Sequence, residues 1–358
     1  MKMVGMLTSG GDCQALNATM RGVAKTLYNY YEDDVQIFGF EEGYKGLMYN
    51  NYVLMKPSDF SGILTRGGTI LGSSRQPFKM MRVPGENGFD KVEAMKRTYH
   101  GLKLDCLVIL GGNGTQKTAN MLSEEGLNIV SLPKTIDNDI YGTDMTFGFQ
   151  SAVDIATNAI DCIHTTAASH GRVFIVELMG HKVGWLTLHA GIAGGADIIL
   201  IPEIPYDIDH VLTAIKKRNR QGKKFSILAV AEGAISKEDA LLPKKDLEKK
   251  KAESIHPSVS YELGKQIQDA LGQEVRIVVP GHTQRGGSPD SYDRVISSRL
   301  GAAAAKLIIE EKYGYMVAFD GDHIVPVGLD VVSSGLKTVD PESEIVHQAK
   351  DLGICFGD

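Results

Sequence analysis

Two aspartates stand two residues apart in LPKTIDNDIYGTD: Asp137 and Asp139, preceded by Lys134 and Thr135. Carboxylates so placed can divide labour, one taking a proton from a hydroxyl while the other faces a cation. In an extended segment residues i and i+2 share a face, which would aim both at one ligand. An Asp-Asn-Asp turn explains the same residues, because both types favour turns, and the segment alone leaves both readings open. Two glycine turns carry different chemistry. LTSGGDCQALNATMRG holds Gly10 and Gly11, and LDCLVILGGNGTQKTANMLSEEG holds Gly111, Gly112 and Gly114 around Asn113, followed by Thr115. Each joins an apolar run to a helix-forming stretch, so free helix N–H groups point at the turn, as in a phosphate cradle. Either turn alone is equally a tight strand–helix connection, and neither completes a P-loop or a G-x-G-x-x-G fingerprint. Two cradles in one sheet favour a polyphosphate ligand. VVPGHTQRGGSPDSYDR sets His282 and Arg285 after a strand that contains Arg276, and Arg172 opens RVFIVELMGHK. The planar guanidinium fork suits a phosphate ester; a surface ion pair is the alternative for each arginine. His164, His170, His181 and His189 show no metal-ligand spacing, and there is no serine nucleophile elbow.

These residues need elements to hold them. MVGMLTS, DVQIFGF, DCLVILGG and LNIVSLP read as buried strands, short, apolar and bounded by turn residues. ALNATMRGVAKTLYNYY, FDKVEAMKRTYHGL and TQKTANMLSEEG have helical spacing. RVFIVELMG, ADIILIP, FSILAVAEG and VRIVVPG repeat the strands later in the chain, with helices predicted in HVLTAIKKRNRQG and VSYELGKQIQDALG. The rhythm implies an α/β fold of mainly parallel sheets covered by helices on both faces, with sites beyond the carboxyl ends of the strands. The long helical stretch GFQSAVDIATNAIDCIHTTAASHG is expected to cross from one sheet to the other. The charged 238–254 segment reads as a solvated helix or insertion loop, of no assigned role.

At 358 residues the chain suits two domains. A net charge of −6 argues against nucleic acid as partner. No apolar run reaches the roughly 18 residues of a membrane helix, and the start reads as a strand rather than a signal peptide. Four scattered cysteines, Cys13, Cys106, Cys162 and Cys355, fit reduced thiols in a cytoplasmic protein.

Taken together the segments resemble the phosphofructokinases, which phosphorylate fructose 6-phosphate. LTSGGD, RGGTILGSSR, GGNGT, PKTIDNDIYGTD, FGFQSA, VELMG, AGIAGGAD, PE, AEG and GHTQRGGSP occur in family order up to about residue 300. GGxGT is shared with lipid and NAD kinases; PKTIDND combined with GHTQRGG is specific. The resemblance implies two doubly wound domains with the active site in the interdomain cleft: residues 1–148 plus about 284–334 for the phosphoryl donor, and 149–283 plus about 335–358 for fructose 6-phosphate. It implies Asp137 as the base for the sugar 1-hydroxyl, with Thr135 on the sugar or the transferred phosphoryl. Asp139 is to position the base and the Mg²⁺ region, directly or through water. Gly11, Tyr44, Arg75, Gly111, Gly112, Asn113, Gly114, Thr115 and Lys134 are to form the donor site, with Arg75 near the transferring phosphate. Met179, Gly180, Glu232, His282 and Arg285 are to bind fructose 6-phosphate. Arg172 and Arg276 are to reach the sugar phosphate from a neighbouring subunit, implying a homodimer or homotetramer with shared sites.

Two departures from the family stand out. Asn113 replaces an aspartate that helps hold Mg²⁺, and an amide is a poorer ligand for a hard cation. Gly114 is the family's mark of ATP, because a carboxylate there obstructs the α-phosphate, whereas Lys134 is typical of pyrophosphate users. Gly114 is weighed more heavily because it acts sterically on the nucleotide. ATP is therefore the expected donor, with Mg²⁺ as cofactor; the alternatives are a pyrophosphate-dependent enzyme and, more distantly, a non-catalytic regulatory paralogue. Arg21, Lys223 and Lys224 match basic positions of the allosteric site of short bacterial enzymes, while His164 and Asp197 replace other members, and no effector is assigned.

Overall fold

The computed structural model describes residues 1–358, Lys251 through its backbone alone. The chain divides into two compact units, Met1–Ser151 with Arg285–Lys337, and Ala152–Gln284 with Thr338–Asp358. Its strands are β1 (Lys2–Ser9), β2 (Val35–Phe40), β3 (Tyr52–Met55), β4 (Cys106–Gly111), β5 (Ile129–Pro133), β6 (Val173–Leu178), β7 (Ile198–Leu200), β8 (Ser226–Ala231), β9 (Val275–Val278), β10 (Tyr315–Asp320) and β11 (His323–Gly328). In the first unit they form one sheet in the order β11-β10-β5-β4-β1-β2-β3. The five central strands are parallel, because helical crossovers return the chain to the same edge each time. The edges are antiparallel: β3 follows β2 after the short helix Tyr44–Tyr49, and β11 follows β10 through a two-residue turn. β3, β10 and β11 add to the strands read from sequence. β3 and β11 are half-exposed edges, and the apolar stretch of β10 is too short to separate from helix by periodicity.

The second unit holds a parallel sheet, β7-β8-β6-β9. β6 and β8 are buried along their whole length, as strands covered on both faces must be. Val173, Ile175, Leu228 and Val230 meet Leu263 and Ile267 of the helix Val259–Leu271 in its core. The long helix Phe149–His170 contains the boundary between the units. The charged segment forms two short helices, Lys237–Ala240 and Lys244–Glu253.

In the first unit the helices Leu16–Tyr31 and Ser291–Ile309 approach closely at Gly22 and Gly301. A Cβ on Gly301 would lie 2.5 Å from the Thr19 carbonyl oxygen and 2.7 Å from the Val23 nitrogen; on Gly22 it would lie 3.0 Å from the Ser298 carbonyl oxygen. The first helix opens beyond the Gly10–Gly11 turn, so this crossing sets the orientation of that turn. Gly301→Ala is expected to destabilise the protein by about 1–3 kcal/mol through overpacking, measured by denaturant melts, with Gly301→Val costing more.

Candidate active site

Three central strands end in register: Ser9 of β1 pairs with Gly111 of β4, which pairs with Pro133 of β5. The residues that follow, Gly10, Gly112 and Lys134, therefore emerge side by side beyond the carboxyl edge. Gly112 leads into the helix Asn113–Glu124, whose first turn carries no acidic residue to oppose its positive end. Any side chain at Gly111 would collide with that of Thr115. Gln116, fully buried, fixes the turn: its Nε2 donates to the carbonyls of Gly111 (2.9 Å) and Leu132 (3.0 Å), and its Oε1 accepts from the Ser131 hydroxyl (2.6 Å). Sequence reasoning missed this residue, because a glutamine in an amphipathic stretch gives no sign that it faces inward. Tyr44 was expected at the donor site. It is wholly enclosed in the core, where burial raises its phenol, and its hydroxyl donates to the Thr115 carbonyl (2.9 Å), so it supports the turn from beneath. Gly114 is exposed, and a Cβ there would meet no atom within 4 Å.

The first glycine turn is held from two sides. The Gly10 amide donates to the Ser74 carbonyl (3.1 Å) and the Ser73 hydroxyl donates to the Gly10 carbonyl (2.6 Å), which brings exposed Arg75 alongside. Arg285 donates from Nη1 to the Asp12 carbonyl (2.9 Å), and a Cβ on Gly11 would stand 2.9 Å from that nitrogen. Arg285, expected with the sugar set, thus lies on the Gly10–Gly11 turn, its buried Nε without a hydrogen-bond partner. Lys134, 3% exposed, donates from Nζ to the Gly11 carbonyl, and a Cβ on Gly10 or Gly112 would stand 3.6 or 3.9 Å from the same nitrogen. Burial lowers its pKa from the usual lysine range, while the charges of Asp137 and Asp139 oppose the shift.

Beyond Lys134 the chain bends. Asn138 adopts a left-handed φ of 52°, so the two aspartates are not on one face of an extended strand as the spacing suggested; a turn and a carboxylate pair coexist. Buried Asn138 is the hub of this loop: its Oδ1 accepts from the Thr146 amide (3.1 Å) and its Nδ2 donates to the Asp144 carbonyl (3.4 Å). The Thr146 hydroxyl closes back onto the Thr135 carbonyl (2.9 Å), and Thr135 Oγ1 accepts from the Asp137 amide (3.0 Å). Burial, and then the neighbouring charge of Asp137, push the Asp139 carboxyl up to about 6. Its Oδ1 is buried and has no hydrogen-bond partner. Among the described residues no cluster of three or more His, Cys, Asp or Glu could hold a metal by itself.

In the second unit Met179 and Gly180 follow β6, and Glu232 follows β8, again at carboxyl ends. Gln284 Oε1 accepts from the Met179 amide (3.3 Å), and Glu232 Oε1 accepts from the His181 amide (2.8 Å). His282 is exposed on the 3₁₀ turn Gly281–Arg285. Arg172 and Arg276 sit elsewhere. Arg172 precedes β6 and Arg276 lies early in β9, so both stand at the amino end of the sheet, and both pair with Glu274. The six residues of β6 separate Arg172 from Met179, a span of roughly 20 Å. Beside Glu232 the unit has a cavity of about 830 Å³, walled partly by Lys249, Lys250 and Glu253 of the charged segment. Asp197 pairs with Arg218 (2.7 Å) and also accepts from the Ile227 amide (2.9 Å), while the His164 ring bonds the Gly194 carbonyl (2.6 Å).

Residues 3–308 match the family model described as phosphofructokinase. The chain is 53% identical to an ATP-dependent 6-phosphofructokinase of Spirochaeta thermophila, covering 99% of this chain and 97% of the relative. It is 45% identical to ATP-dependent 6-phosphofructokinase 3 of Bacteroides thetaiotaomicron, covering 99% of each. Among solved structures it superposes on phosphofructokinase of Pichia pastoris with a TM-score of 0.81 at 30% identity, over 93% of this chain but only 35% of the longer yeast chain.

The raised pKa of Asp139 has a consequence for stability. A carboxyl lifted above its unfolded value favours folding below the unfolded pKa, and that contribution is lost as pH rises through about 6. Asp139→Asn is therefore expected to stabilise the protein at pH 7.5 by on the order of 1–3 kcal/mol and by little at pH 3.5, where the carboxyl is protonated in both states. Urea melts at the two pH values check this; equal effects at both would contradict it.

Proposed function

The chain belongs to the phosphofructokinase family, and from that premise we propose how it transfers the terminal phosphoryl group of ATP to the 1-hydroxyl of fructose 6-phosphate. The products are fructose 1,6-bisphosphate and ADP, and the reaction is a step of glycolysis. The observation that carries the reading is the position of Lys134, from which the proposed catalytic loop departs while its ammonium donates to Gly11 in one glycine turn and its backbone amide donates to the Gly111 carbonyl in the other (3.1 Å). Donor phosphates and catalytic carboxylates are thereby referred to one point.

The unit containing Met1–Ser151 binds the donor, and the unit containing Ala152–Gln284 binds the sugar. Gly11 and the turn Gly111–Thr115 receive the phosphates on backbone N–H groups and the positive helix end. Arg75 neutralises the transferring phosphoryl group, and open space at Gly114 admits the nucleotide. Asp137 accepts the proton of the 1-hydroxyl as its oxygen attacks in line, and Thr135 orients the hydroxyl or the phosphoryl group. Little covalent work is asked of the protein; positioning and charge stabilisation do most of the catalysis. Asp139, whose buried Oδ1 has no hydrogen-bond partner, would hold Mg²⁺, with the Asn113 amide oxygen as the weaker ligand. When bound, that cation would supply charge neutralisation. Met179, Gly180, Glu232 and His282 bind the sugar of fructose 6-phosphate, joined by Arg285. Arg172 and Arg276 stand at the opposite end of their sheet and serve the site of a neighbouring subunit, which makes the protein a homodimer or homotetramer. The reaction places it in the cytoplasm.

Lys134 motivates a second reading, pyrophosphate as donor. Its ammonium is enclosed and already engaged with Gly11, which favours a bracing role over donor choice.

Initial rates with each donor at equal concentration are expected to give the higher kcat/KM with ATP; a higher value with pyrophosphate would overturn the donor assignment. Gly114→Asp should lower kcat/KM for ATP by about 100-fold, or ~2.7 kcal/mol. Asp137→Ser is expected to reduce kcat by about 10²–10⁴-fold, the range of a general base. Fructose 6-phosphate binding measured by calorimetry should stay unchanged in that variant, and its loss would make Asp137 structural.

A further inference from the structure

Lys337 belongs to none of the motifs above and lies beyond residue 308, where the match to the family model stops. The geometry points to Lys337 as a positioning residue for the loop that carries Asp137 and Asp139, an inference that rests on the reading of Asp137 as the base. Its backbone amide donates to the Asp139 carbonyl (3.0 Å), and its ammonium donates to the carbonyls of Thr143 (3.0 Å) and Asp144 (2.5 Å). One residue thus satisfies three carbonyls on both arms of the bend. The preceding backbone lies against the same loop, since a Cβ on Gly335 would stand 2.9 Å from Cγ of the Tyr141 ring.

The other side of the loop is tied to the hairpin of β10 and β11. The Asp144 amide donates to the Phe319 carbonyl (2.9 Å), the Phe319 amide donates to Thr143 Oγ1 (3.0 Å), and the Gly321 amide donates to Asp144 Oδ2 (2.7 Å). The hairpin therefore holds one arm, Thr143–Asp144. Asp139 sits on the other arm, and the Lys337 amide and ammonium span the two. A buried carbonyl needs a donor; that of Thr143 is partly buried, that of Asp144 is exposed, and the Lys337 ammonium donates to both. Removing this one leaves Asn138 Nδ2 as the side-chain donor to Asp144, at a long 3.4 Å. The bend then loses one of the ties between Asp139 and the anchored arm, the others running through Asn138 and Thr146, and a displacement near 1 Å at a reacting group is worth roughly 100-fold in rate.

The test compares Lys337→Met and Lys337→Arg with the wild type in the full-length protein, reading kcat, KM for ATP, thermal melting and hydrogen exchange of residues 139–146 without ligands. Lys337→Met is expected to lower kcat by about 10- to 100-fold with KM for ATP within about twofold, and to speed exchange in that loop. Lys337→Arg, which can still donate to both carbonyls, is expected to recover most of the lost kcat. Unchanged kcat or unchanged exchange in Lys337→Met overturns the inference, as does a collapsed melt that Lys337→Arg fails to restore, which would make the residue merely structural. If the wild type itself fails to phosphorylate fructose 6-phosphate, the reading of Asp137 falls, while the exchange comparison still decides whether Lys337 holds the loop.

Discussion

A buried ammonium on a backbone carbonyl is the interaction on which the rest of this site depends. Lys134 is nearly inaccessible, and an amine so placed loses most of its hydration. Its charge is tolerable because the Gly11 carbonyl accepts from it and the fields of Asp137 and Asp139 stabilise it. The arrangement forces proximity: the ends of β1, β4 and β5, already in register, are drawn onto one point. The glycines there are a steric requirement, since Gly11 leaves room for the Arg285 guanidinium and Gly111 for Thr115.

The loop beyond Lys134 is ordered chiefly by side chains. Asn138, Thr135, Thr143 and Thr146 close it on itself, and Asp144 ties it to the β10–β11 hairpin. Such a loop keeps Asp139 poorly hydrated and close to a second carboxylate, which raises its pKa and leaves an oxygen unpaired. Stability is reduced locally at this carboxylate, the trade expected at a functional site.

The second unit separates its polar residues by strand end. Met179, Gly180 and Glu232 collect at carboxyl ends, while Arg172 and Arg276 share Glu274 at the amino end. The two arginines are paired with one carboxylate, Glu274, that sequence analysis did not single out. Residues proposed for the chain's own site and residues proposed for a neighbour's thus stand at opposite ends of the same sheet.

Much of this was legible in the amino-acid sequence. Short β-branched runs alternating with amphipathic stretches can bury their apolar faces only as helix-covered parallel sheets, so the α/β class followed from patterning. The glycine turns and Asp137–Asp139 were legible for the same reason: their chemistry is local to a few consecutive residues. Tyr44, Gln116 and Lys337 were not, because their partners lie 71, 16 and 194 residues away at Thr115, Leu132 and Thr143, and nothing in a sequence window distinguishes a buried hydrogen-bonding side chain from an exposed one. The edge strands escaped because half-exposed segments carry a weak apolar signal. Residue chemistry along the chain determined what this protein could bind. Only tertiary packing decided that Lys134 turns inward to brace the glycine turns and that Asn138 kinks the loop between the aspartates, since burial and long-range pairing exist only once the strands are assembled.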